Sequence, residues 1–136
     1  MENSQIRFRA WDKEGKVMID WFWLSSEGNL YETPFIVYDT PHLEIERNDD
    51  LVAMQYTGLK DKNGVEIYEG DIVHWMTEFI SPMDMRTKHK IDINVEVHQK
   101  ESGEWVMGKV GNTLFEELFD VEVIGNIYEN PELLED

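Results

Sequence analysis

The sequence predicts a mainly β protein, and three observations carry that prediction. Its 136 residues repeatedly set a short apolar or alternating run against a Gly-bearing turn, the signature of hairpins. Ile91-Asp92-Ile93-Asn94-Val95-Glu96-Val97-His98 alternates strictly, so Ile91, Ile93, Val95 and Val97 should point inward from one strand face. Only one stretch, near 113–120, reads as a short helix. Short strands between turns, with little helix, indicate a sandwich or a small barrel.

Taken in order, Ile6 to Trp11 alternates, with Ile6, Phe8 and Ala10 on one face and the arginines on the other. Asp12-Lys13-Glu14-Gly15 turns the chain, with Gly15 expected at the positive-φ position. Lys16 to Ile19 returns. Trp21-Phe22-Trp23-Leu24, a turn at Ser25 to Asn29, and Leu30-Tyr31 repeat the pattern. Pro34 and Pro41 each remove a ladder donor, which reduces Phe35 to Tyr38 to a short or edge strand. The acidic stretch with Glu44, Glu46, Asp49 and Asp50 reads as a connection, and a short helix from Leu43 to Leu51 is the alternative. These features divide the chain into an N-terminal β region, 1–50, and a second region, 51–136, which could pack as one unit.

The second region is denser in signals. Leu51 to Tyr56 leads to Asn63-Gly64, a pair that suits a type I′ hairpin because both residues tolerate left-handed φ. Val65 to Tyr68 and Ile72 to Trp75 flank a turn at Glu69-Gly70-Asp71. Glu101 to Glu104 closes a hairpin onto Trp105 to Met107. Thr113 with Glu116 forms a capping-box pattern, and Leu114, Phe115, Leu118 and Phe119 recur at helical spacing. Val121 to Tyr128 is the last strand, ended by Pro131.

Composition narrows function. Twelve Lys and Arg stand against 29 Asp and Glu, a net charge of −17, which disfavours direct contact with nucleic acid or anionic membranes. Without cysteine there is no disulfide, thiolate zinc site or thiol nucleophile. Apolar runs reach four residues, where a membrane span needs about 20. The start lacks the apolar core of a signal peptide, so the expected location is the cytoplasm.

Chemical motifs are sparse. Asp61-Lys62-Asn63-Gly64 faintly resembles a calcium loop, but Glu66 and Ile72 stand where that loop needs Gly and a bidentate Glu. The histidines lack metal-ligand spacing, and no serine lies in a nucleophile elbow. Gly108-Lys109-Val110-Gly111 is neither a P-loop nor a dinucleotide fingerprint. Arg86, Lys88, His89 and Lys90 read as a solvated basic loop. The expectation is therefore no catalytic residue, no metal and no cofactor.

Three blocks carry a family resemblance. Ile6-Arg7-Phe8-Arg9-Ala10-Trp11-Asp12, the stretch from Gln55-Tyr56-Thr57-Gly58-Leu59-Lys60-Asp61-Lys62-Asn63-Gly64 through Ile67-Tyr68-Glu69-Gly70-Asp71-Ile72-Val73, and Val123-Ile124-Gly125-Asn126-Ile127-Tyr128-Glu129-Asn130-Pro131 resemble the YopX family. Their order and spacing cover almost the whole chain. The resemblance implies a phage or prophage protein of Gram-positive bacteria, with no established biochemical role and no catalytic residues to carry over. It implies an SH3-like barrel from about Tyr56, preceded by an N-terminal β region, and self-association. Its recurrent positions here are architectural: Gly58, Gly64, Gly70 and Gly125 suit turns or close backbone approach, and Asp71 suits bonding to turn amides.

The favoured reading is a non-enzymatic accessory protein that binds a basic protein partner, and further copies of itself. The candidate surface combines Trp21 and Trp23 with Glu116, Glu117, Asp120 and Glu122, because Glu116 to Asp136 holds eight acids and no base. An acidic mimic of nucleic acid, inhibiting a DNA-binding protein, is the first alternative. A carboxylate-dependent hydrolase is the second, and rests only on the abundance of acids.

Overall fold

The computed structural model describes residues 7–19, 22–24, 30–32, 46–47 and 50–134, with backbone alone for the three short stretches before residue 50. It is mainly β. The strands are β1 (Phe8–Asp12), β2 (Val17–Ile19), β3 (Phe22–Leu24), β4 (Leu30–Glu32), β5 (Glu46–Arg47), β6 (Leu51–Lys60), β7 (Glu66–Tyr68) and β8 (Asp71–Ile80). There follow β9 (Lys88–Gln99), β10 (Trp105–Met107), β11 (Asn112–Thr113), a 3-10 helix at Phe115–Asp120, β12 (Val121–Asn126) and a 3-10 helix at Pro131–Leu134. The chain divides into two compact units between Gln55 and Tyr56, within β6.

In the first unit β1 lies antiparallel between β2 and the first half of β6, with Ala10 opposite both Ile19 and Ala53. Ala10, Ile19 and Leu51 form its small core, against which Ala53 packs. The β1–β2 turn departs from expectation. Asp12 Oδ1 accepts hydrogen bonds from the amides of Glu14 (3.0 Å) and Gly15 (3.1 Å). That carboxylate holds the turn in a tight helical curl, and the reversal falls one residue later, at Lys16 with φ 54°. Gly15 instead provides room: a Cβ there would lie 2.9 Å from Asp12 Oδ2.

A separate sheet of the first unit has the order β3-β4-β5, with Trp23 opposite Tyr31 and Tyr31 opposite Arg47. Its strand β5, followed by β6 from Leu51, overturns the alternative helix through Leu43 to Leu51. The turn at Ser25 to Asn29, the Phe35 to Tyr38 run and Trp21 lie outside the described residues.

In the second unit a five-stranded antiparallel sheet has the order β11-β10-β9-β8-β12, while β7 pairs with the second half of β6. The core gathers Ile67, Val73, Trp75, Val95, Val97, Met107, Leu114 and Val121. The β6–β7 turn corrects the type I′ reading. Gly64 has φ +82°, but Asn63 is not at positive φ. Gly64 N donates to Asp61 O (3.0 Å) and Asp61 N to Val65 O (2.8 Å), a three-residue loop whose last residue is left-handed. The side chain of Asp61 explains the choice: its Oδ1 accepts from Asn63 N (2.8 Å) and Val65 N (2.9 Å), which a two-residue turn would not present.

The remaining turns have individual causes. Gly58, at φ +82°, sits where the β6–β7 ladder shifts register between Tyr56 and Lys60. Gly70 carries the chain from β7 to β8 at φ +84°, and Asp71 Oδ2 accepts from Tyr68 N (2.7 Å) across that corner. At the β12 bulge a Cβ on Gly125 would collide with the side chain of Asn130. Pro131 opens a 3-10 helix, and β12 has already ended at Asn126.

Two further expectations are corrected. Ile93, expected to point inward, is half exposed and lines an open cleft beside Trp75, whereas Ile91 on the same face packs against the core. The capping box at Thr113 does not form. Thr113 belongs to β11, and its Oγ1 donates to Glu104 Oε1 at 2.9 Å. The short helix that follows is a 3-10 helix with no side-chain cap.

Two turns are therefore predicted to respond oppositely. Lys16→Gly should stabilise the protein by up to about 1 kcal/mol, by removing a left-handed non-glycine residue. Gly64→Val should destabilise it by about 1–3 kcal/mol through backbone strain alone, since nothing lies within 4 Å of a Cβ there. Chemical denaturation midpoints of both variants decide the matter. Equal midpoints would contradict the assigned turn geometries.

Candidate protein-binding surface

The 3-10 helix Phe115–Asp120 is held at both ends and at its middle. Leu114, which precedes it, is fully buried, and its amide donates to Trp105 O at 3.1 Å. From the middle, Glu117 Oε2 accepts from Trp75 Nε1 at 3.2 Å. Beyond the helix, Val121 O accepts from Lys62 N (3.2 Å) and Val123 N donates to Asp61 Oδ2 (2.8 Å). Glu122 Oε1 also accepts from Asn63 Nδ2 at 3.3 Å.

Three residues per turn changes which side chains share a face. In an α-helix Phe115 and Phe119 would join Leu114 and Leu118 in one inward stripe. In a 3-10 helix positions i and i+3 eclipse, which groups Phe115 with Leu118, Glu116 with Phe119, and Glu117 with Asp120. Leu114 alone is fully buried; Phe115 is 69% exposed and Phe119 90% exposed. Two phenyl rings thus stand in water on a segment carrying Glu116, Glu117, Asp120 and, just beyond it, Glu122, with no basic residue in the helix's last turn.

Of the expected surface residues, Glu116, Glu117, Asp120 and Glu122 lie together here, although Glu117 and Glu122 are partly engaged by Trp75 and Asn63. Trp21 and the side chain of Trp23 lie outside the described residues. The sequence reading missed Phe115 and Phe119 as exposed groups, because it assigned them α-helical spacing. The shortness of the segment, six residues with an acid at every polar position, was the available signal.

Burial raises the Glu117 carboxyl above its ordinary pKa of 4.5, and the charges of Asp120 and Glu116 add to the rise while the Trp75 hydrogen bond opposes it. Elsewhere, burial raises the Tyr128 phenol, helped by Glu69 and Glu96. His74 places Nδ1 2.8 Å from Asn94 Oδ1 and Nε2 3.1 Å from Asp92 Oδ1, on a partly exposed strand face. Among the described residues no group of three or more His, Asp or Glu could hold a metal ion. None of their helices is long and apolar enough to cross a membrane.

Folding raises the affinity of Glu117 for its proton, so stability should fall as pH rises from about 4.5 through the higher folded value, then level off. Glu117→Gln keeps an acceptor for Trp75 and removes this titration. Its melting temperature should match the parent at low pH and exceed it increasingly toward neutrality. A constant difference across that range would refute the account.

Comparison with known proteins follows the same lines. The family model described as YopX protein matches residues 7–135. Protein EF1440 from Enterococcus faecalis, known from a crystal structure, is 30% identical with a TM-score of 0.64, over 98% of this chain and 100% of that one. YopX from Bacillus subtilis, solved by X-ray crystallography, shares the fold at 23% identity and a TM-score of 0.55, again over 98% and 100% of the two chains. No curated protein matches.

Proposed function

The chain belongs to the YopX family, and from that premise we propose that it is a non-enzymatic phage or prophage accessory protein that binds a basic protein partner. The contact is the segment Phe115 to Glu122. The observation that carries this reading is the exposure of Phe119 and Phe115 among four carboxylates. Phenyl rings carried on an anchored helix have little backbone entropy left to lose on binding. Burying each contributes about 1.5–3 kcal/mol. Surrounding carboxylates add long-range attraction for a basic surface and favour rapid encounter.

On this reading the protein acts without cofactor or metal, in the host cytoplasm, and its second unit is an SH3-like barrel. The bulges near Gly58 and in β12 support that barrel, because such irregularities let short strands curl. The rings weigh against a nucleic-acid mimic, which needs carboxylates spaced as phosphates and gains nothing from exposed phenyl groups.

Affinity purification from prophage-induced cells, with the parent chain and with Phe115→Ala/Phe119→Ala, tests the proposal. The double variant should lose the partner, with dissociation at least tenfold faster, while its melting temperature stays near that of the parent. Association of the parent should slow steeply with salt. A partner retained equally by both chains would defeat the assignment of this surface.

A further inference from the structure

Among the described residues the β8–β9 ribbon has two strands and open edges between Met76 to Ile80 and Lys88 to Asp92, where neither β10 nor β12 reaches. Hydrogen bonds at its base show which way the β9 edge points. Glu96 O accepts from Gly108 N on the β10 side, and Val97 O accepts from Gly70 N on the β8 side, each at 2.9 Å. In-plane groups alternate along a strand, so Lys88, Lys90 and Asp92 turn their amides and carbonyls toward the open edge, and beyond them the side-chain amide of Asn94 donates to Leu133 O of the second 3-10 helix at 3.0 Å.

The two ends of that edge differ in chemistry. At its inner end lies an open cleft of about 460 Å³, with an apolar lining from Trp75, Ile93, Val95, Met107, Val110 and Leu134. Toward the tip, Lys88 and Lys90 share one strand face, opposite Ile80 and Glu78 on β8, and Arg86 stands two residues before Lys88. Lys90 Nζ is 3.7 Å from Asp92 Oδ2, while Asp92 also meets His74. The loop's own carboxylate, exposed, bonds within the loop: Asp84 accepts from the amides of Arg86 and Thr87 at 2.9 Å and from the Thr87 hydroxyl. The Thr87 hydroxyl, foremost, and these amides hold Asp84 at a pKa of about 2. Among the described residues Arg86 and Lys88 form no ion pair.

We propose that this edge receives an extended acidic segment of a partner protein as an added strand, with apolar side chains in the cleft and carboxylates beside Lys88 and Lys90. Main-chain hydrogen bonds would supply affinity and alternate side chains specificity. Edge lysines repel unsuited strands, which protects the protein from indiscriminate pairing. An acidic strand turns the same charges into cross-strand attraction. This edge prefers the opposite charge to the Phe115 to Glu122 surface and does not rest on the function proposed for it.

Amide NMR of the full chain tests the proposal with three terminally blocked peptides: Glu-Val-Glu-Val-Glu-Val, its Lys-Val counterpart, and the first peptide N-methylated at its glutamates. The acidic peptide should shift the amides of Lys88, Lys90 and Asp92 saturably and bind at least tenfold tighter than the other two. Lys88→Glu/Lys90→Glu, which alters only exposed side chains, should reverse the preference between the charged peptides. No binding at millimolar peptide, equal binding of the N-methylated form, or shifts confined to Phe115 to Asp120 would each overturn the proposal.

Discussion

The second unit depends on one buried carboxylate. Asp61 is almost inaccessible to solvent, and it accepts three backbone hydrogen bonds, from Asn63, Val65 and Val123. An ion removed from water costs several kcal/mol, so it persists only where charge-assisted hydrogen bonds offset that cost. Two of the bonds shape the β6–β7 turn. The third reaches 62 positions along the sequence to β12. One side chain therefore couples a local turn to the strand that leaves the Phe115–Asp120 helix.

That coupling explains how so short a helix can present a surface. A six-residue 3-10 segment gains little from its own hydrogen bonds and would fray in isolation. Leu114 buried at its start, Trp75 bonded to Glu117, and the Asp61 turn clamped on Val121 to Val123 hold it instead. With the backbone fixed by its surroundings, Phe115 and Phe119 need not face inward, and their exposure becomes affordable. Partial burial of the Glu117 carboxylate on this anchored segment raises its pKa, with Asp120 and Glu116 adding to the rise and the Trp75 hydrogen bond opposing it.

Much of the fold was legible because strand periodicity and turn chemistry are local. The alternation from Val95 to Val97, the Gly64 and Gly103 hairpins and the Gly70 corner follow from residues that lie side by side. Errors arose where a side-chain hydrogen bond decided between backbone options that residue type alone leaves open. Asp12 moved the left-handed residue from Gly15 to Lys16, and Asp61 replaced a type I′ turn by a longer loop. Thr113 was recruited by Glu104 across the sheet, and the α-helical spacing of the phenylalanines dissolved with the cap. The acidic half of the candidate surface was readable from charge. Its aromatic half was not, since exposure depends on helix type.

Hydrogen exchange at the Val123 amide tests the central role of Asp61 most directly. In the parent chain this amide should exchange as slowly as that of Val97 in the core strand β9. In Asp61→Asn the side-chain NH2 replaces one acceptor oxygen, so Val123 should lose protection at least tenfold beyond any loss at Val97. A Val123 amide that exchanges freely in the parent, or that follows Val97 in the variant, would contradict the account.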